Sequence, residues 1–401
     1  MVRDRCFHSA IGQSSIIRVF AAVVAVLALA TVAGMAILWP GDVDTRVGEA
    51  IVTKSDTATV LSVSEFACAG LETDVCREVR IRLESGEDNG AVKELVLDNG
   101  TIDPDVSEGD ELRVVKNVVP PGADPVPGRE YSISDFDRQG PLLLLALIFA
   151  GVVVLFGRLR GAMSLIGLGL SLAVVLGFMV PAILDGESTL AVAIVGSVAV
   201  MLTTILLAHG ANPKSLAAIV GTAASLVVTV GLAVLFTDLT HLTGLASEEA
   251  TFLQINDAGV SLEGLLLAGM IVAALGVLDD VTVSQSSTVL ALRAANPGQS
   301  FRQLFALAMD VGRDHVSATV NTLVLAYVGA SLPLLLIFSS GQIDVLDAIN
   351  LEIIAKEIVA TLVGSIGLIA AVPITTALAA LLARRMSADE LAAVEPHGHS
   401  H

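Results

Sequence analysis

Residues 265 to 283 read LLLAGMIVAALGVLDDVTV, a run that is long and apolar enough to form a membrane-crossing helix. Its two charged side chains are adjacent, Asp279 and Asp280. A carboxylate inside a span costs at least about 2.5 kcal/mol on insertion scales, so a chain that keeps two is expected to use them. The alternative is that the span ends early and the pair only marks the water interface.

The composition of the whole chain is that of a multi-pass membrane protein. Hydrophobic residues make up 54% of the 401 residues and charged residues only 16%, which is not the balance of one soluble domain. The sequence therefore predicts an all-α polytopic membrane helix bundle of about eight transmembrane helices. The apolar windows cover residues 16–39, 140–157, 161–184, 189–208, 215–237, 262–283, 316–338 and 358–383.

The placement of lysine and arginine predicts the orientation of these helices. With a cytoplasmic N-terminus, the short outer loops contain only Lys356, and the C-terminus is cytoplasmic as well. The lipid bilayer is then the main partner of the chain. Nucleic acid is not expected as a partner, because the net charge is −19.

One sizeable soluble segment, residues 41–138, separates the first helix (within 1–40) from the membrane domain (139–385). Its runs REVRIRLESG (77–86), AVKELVLDNG (91–100) and DELRVVKNVV (110–119) alternate apolar with polar residues and are separated by turn residues. We predict a small extracytoplasmic β-barrel or sandwich between helices 1 and 2.

The cysteines fit an outer location for this domain. Cys68 and Cys76 stand in CAGLETDVC, and an oxidising compartment would let them form a disulfide; two buried free thiols are the alternative. The domain contains no histidine to complete a zinc site, and we expect no metal and no cofactor. We interpret residues 386–401 as a disordered cytoplasmic tail, although its histidines could hold a transition metal weakly. These histidines are His397, His399 and His401.

Polar residues are dense in the last two predicted helices. Residues 301–309 are expected to form a separate amphipathic segment along the membrane surface, ahead of the helix at 316–338. The topology puts the polar residues of three helices in the cytoplasmic half of the membrane, where they could share a cluster or serve as interhelical contacts worth about 0.6 kcal/mol each. The candidate cluster comprises Asp279, Asp280, Asn321, Thr322, Thr375 and Thr376, with Arg313, Asp314 and His315 at its cytoplasmic mouth.

Three segments resemble the YibE/YibF-like family of bacterial multi-pass membrane proteins. They are LGVLDDVTVSQSS (275–287), LFALAMDVGRDHVSATVNTLVLAYVGASLPLLL (304–336) and VGSIGLIAAVPITT (363–376). The resemblance extends over about residues 130–385 and implies a bacterial plasma membrane protein of unassigned activity. It also implies a single aspartate in the sixth helix, which Asp280 matches, whereas Asp279 stands where an apolar residue is usual.

The chain also resembles, more distantly, one half of an RND-type permease or of the SecD/SecF export proteins. This similarity implies that Asp280 accepts a proton, that Asp279 is its coupled neighbour, and that Asn321 and Thr322 are hydrogen-bonding partners. Two adjacent carboxylates are costly to ionise together, which agrees with such coupling. A homodimer could supply the missing half.

Three function classes therefore compete: a transporter or export accessory, a scaffold or sensor, and an intramembrane enzyme. The acidic pair favours a proton-coupled transporter or export accessory, with a substrate that the sequence does not identify. The alternative is a non-transporting membrane scaffold or sensor that works through the outer β-domain, for which Asp280 would face bulk water. An enzyme is not expected, because GVLDD lacks the Gly-x-Gly-Asp context of aspartyl intramembrane proteases and no Ser-His or HExxH arrangement lies in the spans.

The topology can be tested by labelling single introduced cysteines in intact cells. Because basic loops stay in the cytoplasm, an impermeant reagent should react near residues 60, 186, 250 and 347. It should react near residues 8, 159, 211, 299 and 395 only after the membrane is opened. Labelling at position 299 from outside would contradict the predicted helix order.

Overall fold

A computed structural model of the chain describes residues 15–41, 55–67, 75–97, 105–117, 128–255, 259–341, 344–386 and 390–391. The chain forms two compact units. One lies within residues 45–153, and the other combines residues 1–44 with residues 154–401.

The smaller unit contains a curled antiparallel sheet of five strands in the order β3-β2-β1-β4-β5. A β-rich domain was predicted here, and the small curled sheet is the part of that prediction that the structure confirms. The strands are β1 (Asp56–Ala67), β2 (Val75–Leu83), β3 (Val92–Leu97), β4 (Glu111–Lys116) and β5 (Tyr131–Phe136).

Alternation of apolar and charged residues determines which face of the sheet is buried. In β2, Val79, Ile81 and Leu83 are buried, while Arg80 and Arg82 between them are exposed. Successive side chains of a strand point to opposite faces, so one face becomes the core of this unit.

Contacts link the two edge regions of the curled sheet. The backbone N–H of Val96 in β3 donates to the carbonyl of Gly128, just before β5, at 3.1 Å. The Lys93 ammonium also lies 2.9 Å from the Glu130 carboxylate.

Cys76 is buried in β2 and is disulfide-bonded. Cys68 lies outside the described residues, so the Cys68–Cys76 pair stays a prediction. The three histidines of the tail also lie outside the described residues.

The larger unit is built from helices. The second helix in chain order begins in the smaller unit and continues into the larger one, and a single π-helical turn, Val175–Met179, separates it from α3. The helices are α1 (Ser15–Ile37), α2 (Gln139–Val174), α3 (Val180–Leu184), α4 (Thr189–His209), α5 (Pro213–Leu239), α6 (Glu248–Ile255), α7 (Leu262–Ala295), α8 (Phe301–Ala330), α9 (Leu332–Ser340), α10 (Val345–Asn350) and α11 (Glu352–Ala383).

By length and composition, the described part of the chain has six helices that could cross a membrane, or seven if α8 and α9 count as one bent span. The predicted number of eight is not confirmed. The difference arises at residues 140–184, which were predicted as two spans. These residues lie in one helical stretch of 46 residues, Gln139–Leu184, whose non-helical residue is Arg158 (φ 52°, ψ −132°).

The prediction of a separate surface segment before the seventh span is wrong. The structure has one continuous helix, α8, from Phe301 to Ala330, because no proline interrupts it. The chain bends by 61° after Ala330, where α9 begins. Pro333, which has no backbone N–H to donate, stands in the first turn of α9, where helices tolerate proline.

Helices α5, α7 and α11 pack against one another more extensively than the other helices of this unit. Their interior is apolar over most of its length, with Ile271, Leu275 and Leu278 of α7 buried in it. The polar positions of α7 follow directly after this apolar part.

Tyr131 allows a test of the packing in the smaller unit. Burial, and then the hydrogen bond of its hydroxyl to Asp88 Oδ2 (2.6 Å), raise the pKa of Tyr131 to about 12. The chain has two tyrosines, so Tyr327→Phe leaves Tyr131 as the only one. An alkaline titration of tyrosinate absorbance in that variant should have its midpoint near this raised value.

Asp88→Asn should lower that midpoint but keep it above the ordinary value of about 10, because burial is the larger cause. Glu87→Gln, in the same turn, is the control and should leave the midpoint unchanged. Since the pKa of Tyr131 is higher in the folded state, its contribution to stability is complete below about pH 10 and is lost as the pH rises through the folded-state pKa. An ordinary midpoint in folded protein would contradict this packing.

Candidate functional site

Four polar side chains follow one face of α7. Asp279, Thr282 and Gln285 are three residues apart, and Ser286 comes next. Side chains three or four positions apart on a helix share a face. Thr282, Gln285 and Ser286 are buried and Asp279 is half-buried, so this face points into the bundle.

Three threonines from three helices surround Asp279, and one of them bonds its carboxyl group. Its Oδ2 accepts a hydrogen bond from Thr204 Oγ1 of α4 at 2.9 Å. Thr282 donates to the backbone carbonyl of Asp279 at 3.2 Å, and Thr282 shares a 2.6 Å hydrogen bond with Thr222 of α5. Oδ1 of Asp279 is buried and has no hydrogen-bond partner among the residues that the structure describes.

Asp280 points away from this group. Consecutive side chains on an α-helix are about 100° apart, so the two aspartates do not share a face. Asp280 is exposed, and its charge acts on His209, the last residue of α4. The adjacent carboxyl groups therefore have different surroundings.

A second polar contact joins three helices further along α7. Gln285 Nε2 donates to the backbone carbonyl of Ala308 in α8 at 2.8 Å and to Thr376 Oγ1 in α11 at 2.7 Å. Thr376 in turn donates to the carbonyl of Val372 in its own helix at 2.6 Å. The side-chain donors of Gln285 and Thr376 are thus hydrogen-bonded within the described residues. These bonds position α7 against α8 and α11.

Thr375 belongs to the packing between α5 and α11. It is buried against Gly221, where a Cβ atom would collide with its hydroxyl, and Thr229 packs against Gly367 in the same way. Thr375 Oγ1 makes no hydrogen bond among the described residues.

The other predicted cluster residues lie elsewhere. Asn321 and Thr322 are exposed on α8, and Thr322 donates to the carbonyl of Ala318 in its own helix. Within the described part of the chain, no hydrogen bond joins either residue to Asp279. The structure thus brings Asp279 and Thr376 into the interior at separate contacts and leaves Asn321 and Thr322 outside.

The predicted cytoplasmic mouth is an exposed stretch of α8. Arg313, Asp314 and His315 are all exposed, and Arg313 forms an ion pair with Asp310 at 2.7 Å. No group of three or more histidine, cysteine, aspartate or glutamate side chains that could hold a metal ion occurs among the described residues.

Five residues of the site were missed by sequence reasoning. Thr282, Gln285 and Ser286 could have been found, because they follow Asp279 at helical spacing on the same face of α7. Thr204 and Thr222 come from other helices, and nothing in their local sequence indicates that they face an aspartate.

Comparison with known proteins supports one of the two resemblances. The chain matches a model of the YibE/F-like protein family over residues 145–385, which is more than half of its length. No curated protein and no solved structure matches it, and the similarity to RND-type or SecD/SecF halves is not confirmed. The matched residues include Asp279, Gln285 and Thr376 and all of α7, α8 and α11. The chain belongs to the YibE/F-like protein family.

Proposed function

We propose that the chain is a transport protein or export accessory of the membrane, in which the Asp279 carboxyl group takes up and releases a proton. The observation that carries this proposal is the buried Oδ1 atom of Asp279, which has no partner among the described residues. A carboxylate oxygen without a donor is costly in a nonpolar interior, and a proton on that atom removes the cost.

The depth of the carboxyl group supports this role. At about 1.5 Å per residue, Thr204 stands about 7 Å from the end of α4, and Thr222 about 14 Å from the start of α5. Asp279 also lies near the middle of α7. A charge at this depth must be neutralised or paired, and no ion pair to Asp279 occurs in the described part of the chain.

The Thr204 hydroxyl suits both forms of the acid. A threonine hydroxyl can donate one hydrogen bond and accept two, so Thr204 can donate to a carboxylate or accept the proton of a carboxylic acid. Asp280, which is exposed near His209, is proposed as the group that exchanges protons with water. This assignment reverses the roles that the resemblance to RND-type and SecD/SecF halves implied for the two aspartates.

A specific observation favours the alternative of a scaffold or sensor. Asp280 is exposed, as that alternative requires, and the contact around Gln285 is fully buried. In a scaffold, Asp279 would keep one protonation state and the β-rich unit would carry the function. A titration of the carboxyl group separates the two functions.

The finer topology belongs to the same proposal. A helical stretch of 46 residues would be about 69 Å long at 1.5 Å per residue, twice the thickness of a bilayer core. We propose that Arg158 marks the turn between two spans, which makes eight in all. The chain would lie in the bacterial plasma membrane with both termini cytoplasmic, and a homodimer remains part of this proposal.

The proton carrier can be identified by infrared spectroscopy of the full chain in liposomes. A protonated carboxyl group that titrates inside the membrane should give a carbonyl band that disappears in Asp279→Asn and persists in Asp280→Asn. These two variants are matched, because each removes one carboxylate and keeps the size of the side chain. Loss of the band in Asp280→Asn alone would assign the role to Asp280 instead.

The threonine contact offers a second test of the same assignment. Thr204→Val removes the donor to Asp279 and should move the frequency and the titration midpoint of the band. Thr203→Val is the control, because Thr203 donates to the carbonyl of Ala199 in its own helix. The phenotype of a deletion strain should be rescued fully by Thr203→Val, only in part by Asp280→Asn, which removes the proposed exchange group, and not by Asp279→Asn. Full rescue by Asp279→Asn, without any titrating band, would favour the scaffold.

A further inference from the structure

Two cavities lie side by side at the end of the bundle where α7 and α11 begin. One, of about 280 Å³, lies between α8, α9 and α11. The other, of about 380 Å³, lies between α6, α7, α8 and α11. Tyr327 and Glu357 line both cavities and form the wall between them.

The first cavity is formed where the apolar span is broken. Ser331, at the bend between α8 and α9, lines it. Non-helical backbone at membrane depth occurs where it is buried in protein or lines a cavity, and broken helices are typical of binding sites in transporters. The bend thus positions backbone and side chains around a recess instead of continuing a straight span.

The wall of this cavity is nonpolar apart from the polar groups of Tyr327, Ser331, Glu357 and Thr361. Val328, Leu335 and Leu362 contribute apolar surface and remain partly exposed, so the recess is open to the outside of the bundle. A nonpolar body could enter it from the lipid or from the membrane surface.

Carboxylates exceed cations around the shared wall. Glu357 lies 3.8 Å from Lys356, which is longer than the distance of about 2.8 Å typical of a charge-assisted hydrogen bond. Glu249 also lines the second cavity, and hydrogen bonds from its own backbone N–H and from Ser247 hold its pKa below the usual range. Two glutamates therefore face one lysine, and the lysine satisfies neither fully.

We propose that the two cavities form one binding site for a lipophilic organic cation. The nonpolar body would lie in the cavity beside Val328 and Leu335, and the cationic centre would face Glu357 and the ring of Tyr327. An aromatic ring and a half-buried carboxylate together attract an organic cation and disfavour an anion of the same shape. The role of such a cation as a transported substrate rests on the transport function proposed above. Its binding to the site does not depend on that function.

Tetraphenylphosphonium and tetraphenylborate are suitable probes, because they have nearly the same shape and opposite charge. Binding of each to the full chain in phosphatidylcholine nanodiscs can be measured by equilibrium dialysis, after subtraction of binding to empty nanodiscs. We expect saturable binding of about one phosphonium per chain, and no saturable binding of the borate.

Substitutions of Glu357 and Lys356 should change the affinity for phosphonium in opposite directions. Glu357→Gln should weaken phosphonium binding about threefold to tenfold, whereas Lys356→Gln, which removes the competing cation, should tighten it. Asp347→Asn is the matched control, because Asp347 is exposed on α10 and lines neither cavity. A misfolded protein would not bind more tightly, so the Lys356 variant also checks that the fold is intact.

Experiment can refute the proposed binding site without refuting the proposed proton carrier, and the reverse. Asp279→Asn should bind phosphonium with the affinity of the unmodified chain, even where transport is lost. Equal binding of phosphonium and borate, no saturable binding, or equal effects of Glu357→Gln and Asp347→Asn would each overturn the proposed site.

Discussion

The close approach of α5, α7 and α11 is the constraint on which the membrane unit depends. Helices in lipid gain little from the hydrophobic effect on association, so they pack through small residues and interhelical hydrogen bonds. Gly221 and Gly367 admit the side chains of Thr375 and Thr229 between α5 and α11. Gly312 of α8 likewise leaves room for Gln285 of α7. This packing creates the interior in which a polar residue of α7 becomes buried.

The different surroundings of Asp279 and Asp280 follow from that packing. Once one face of α7 is turned toward α5 and α11, a step of one residue turns the next side chain outward. Asp279 then meets Thr204 inside the bundle, and Asp280 remains exposed near the end of α4. Two adjacent carboxyl groups, one inside the bundle and one exposed, are suited to passing a proton between water and the interior.

Helix α7 connects the proposed proton carrier with the proposed binding site. Its first turns, including Leu265 and Gly269, line the larger cavity, and Asp279 lies about 15 Å further along the same helix at about 1.5 Å per residue. The proposed proton carrier and the proposed binding site therefore involve the same helix.

The sequence by itself determined the class of the protein, its family, the apolar segments and the presence of a β-rich domain. These follow from composition, from alternation in runs such as residues 77–86 and from local motifs, all of which depend on neighbours in the chain. Only the tertiary structure decided that α8 continues through residues 301–330, that Asp279 faces inward, and that Gln285 meets Thr376. The physical reason is that the rotation of a helix about its axis depends on the small residues of its neighbours. Local sequence does not specify which neighbours those will be.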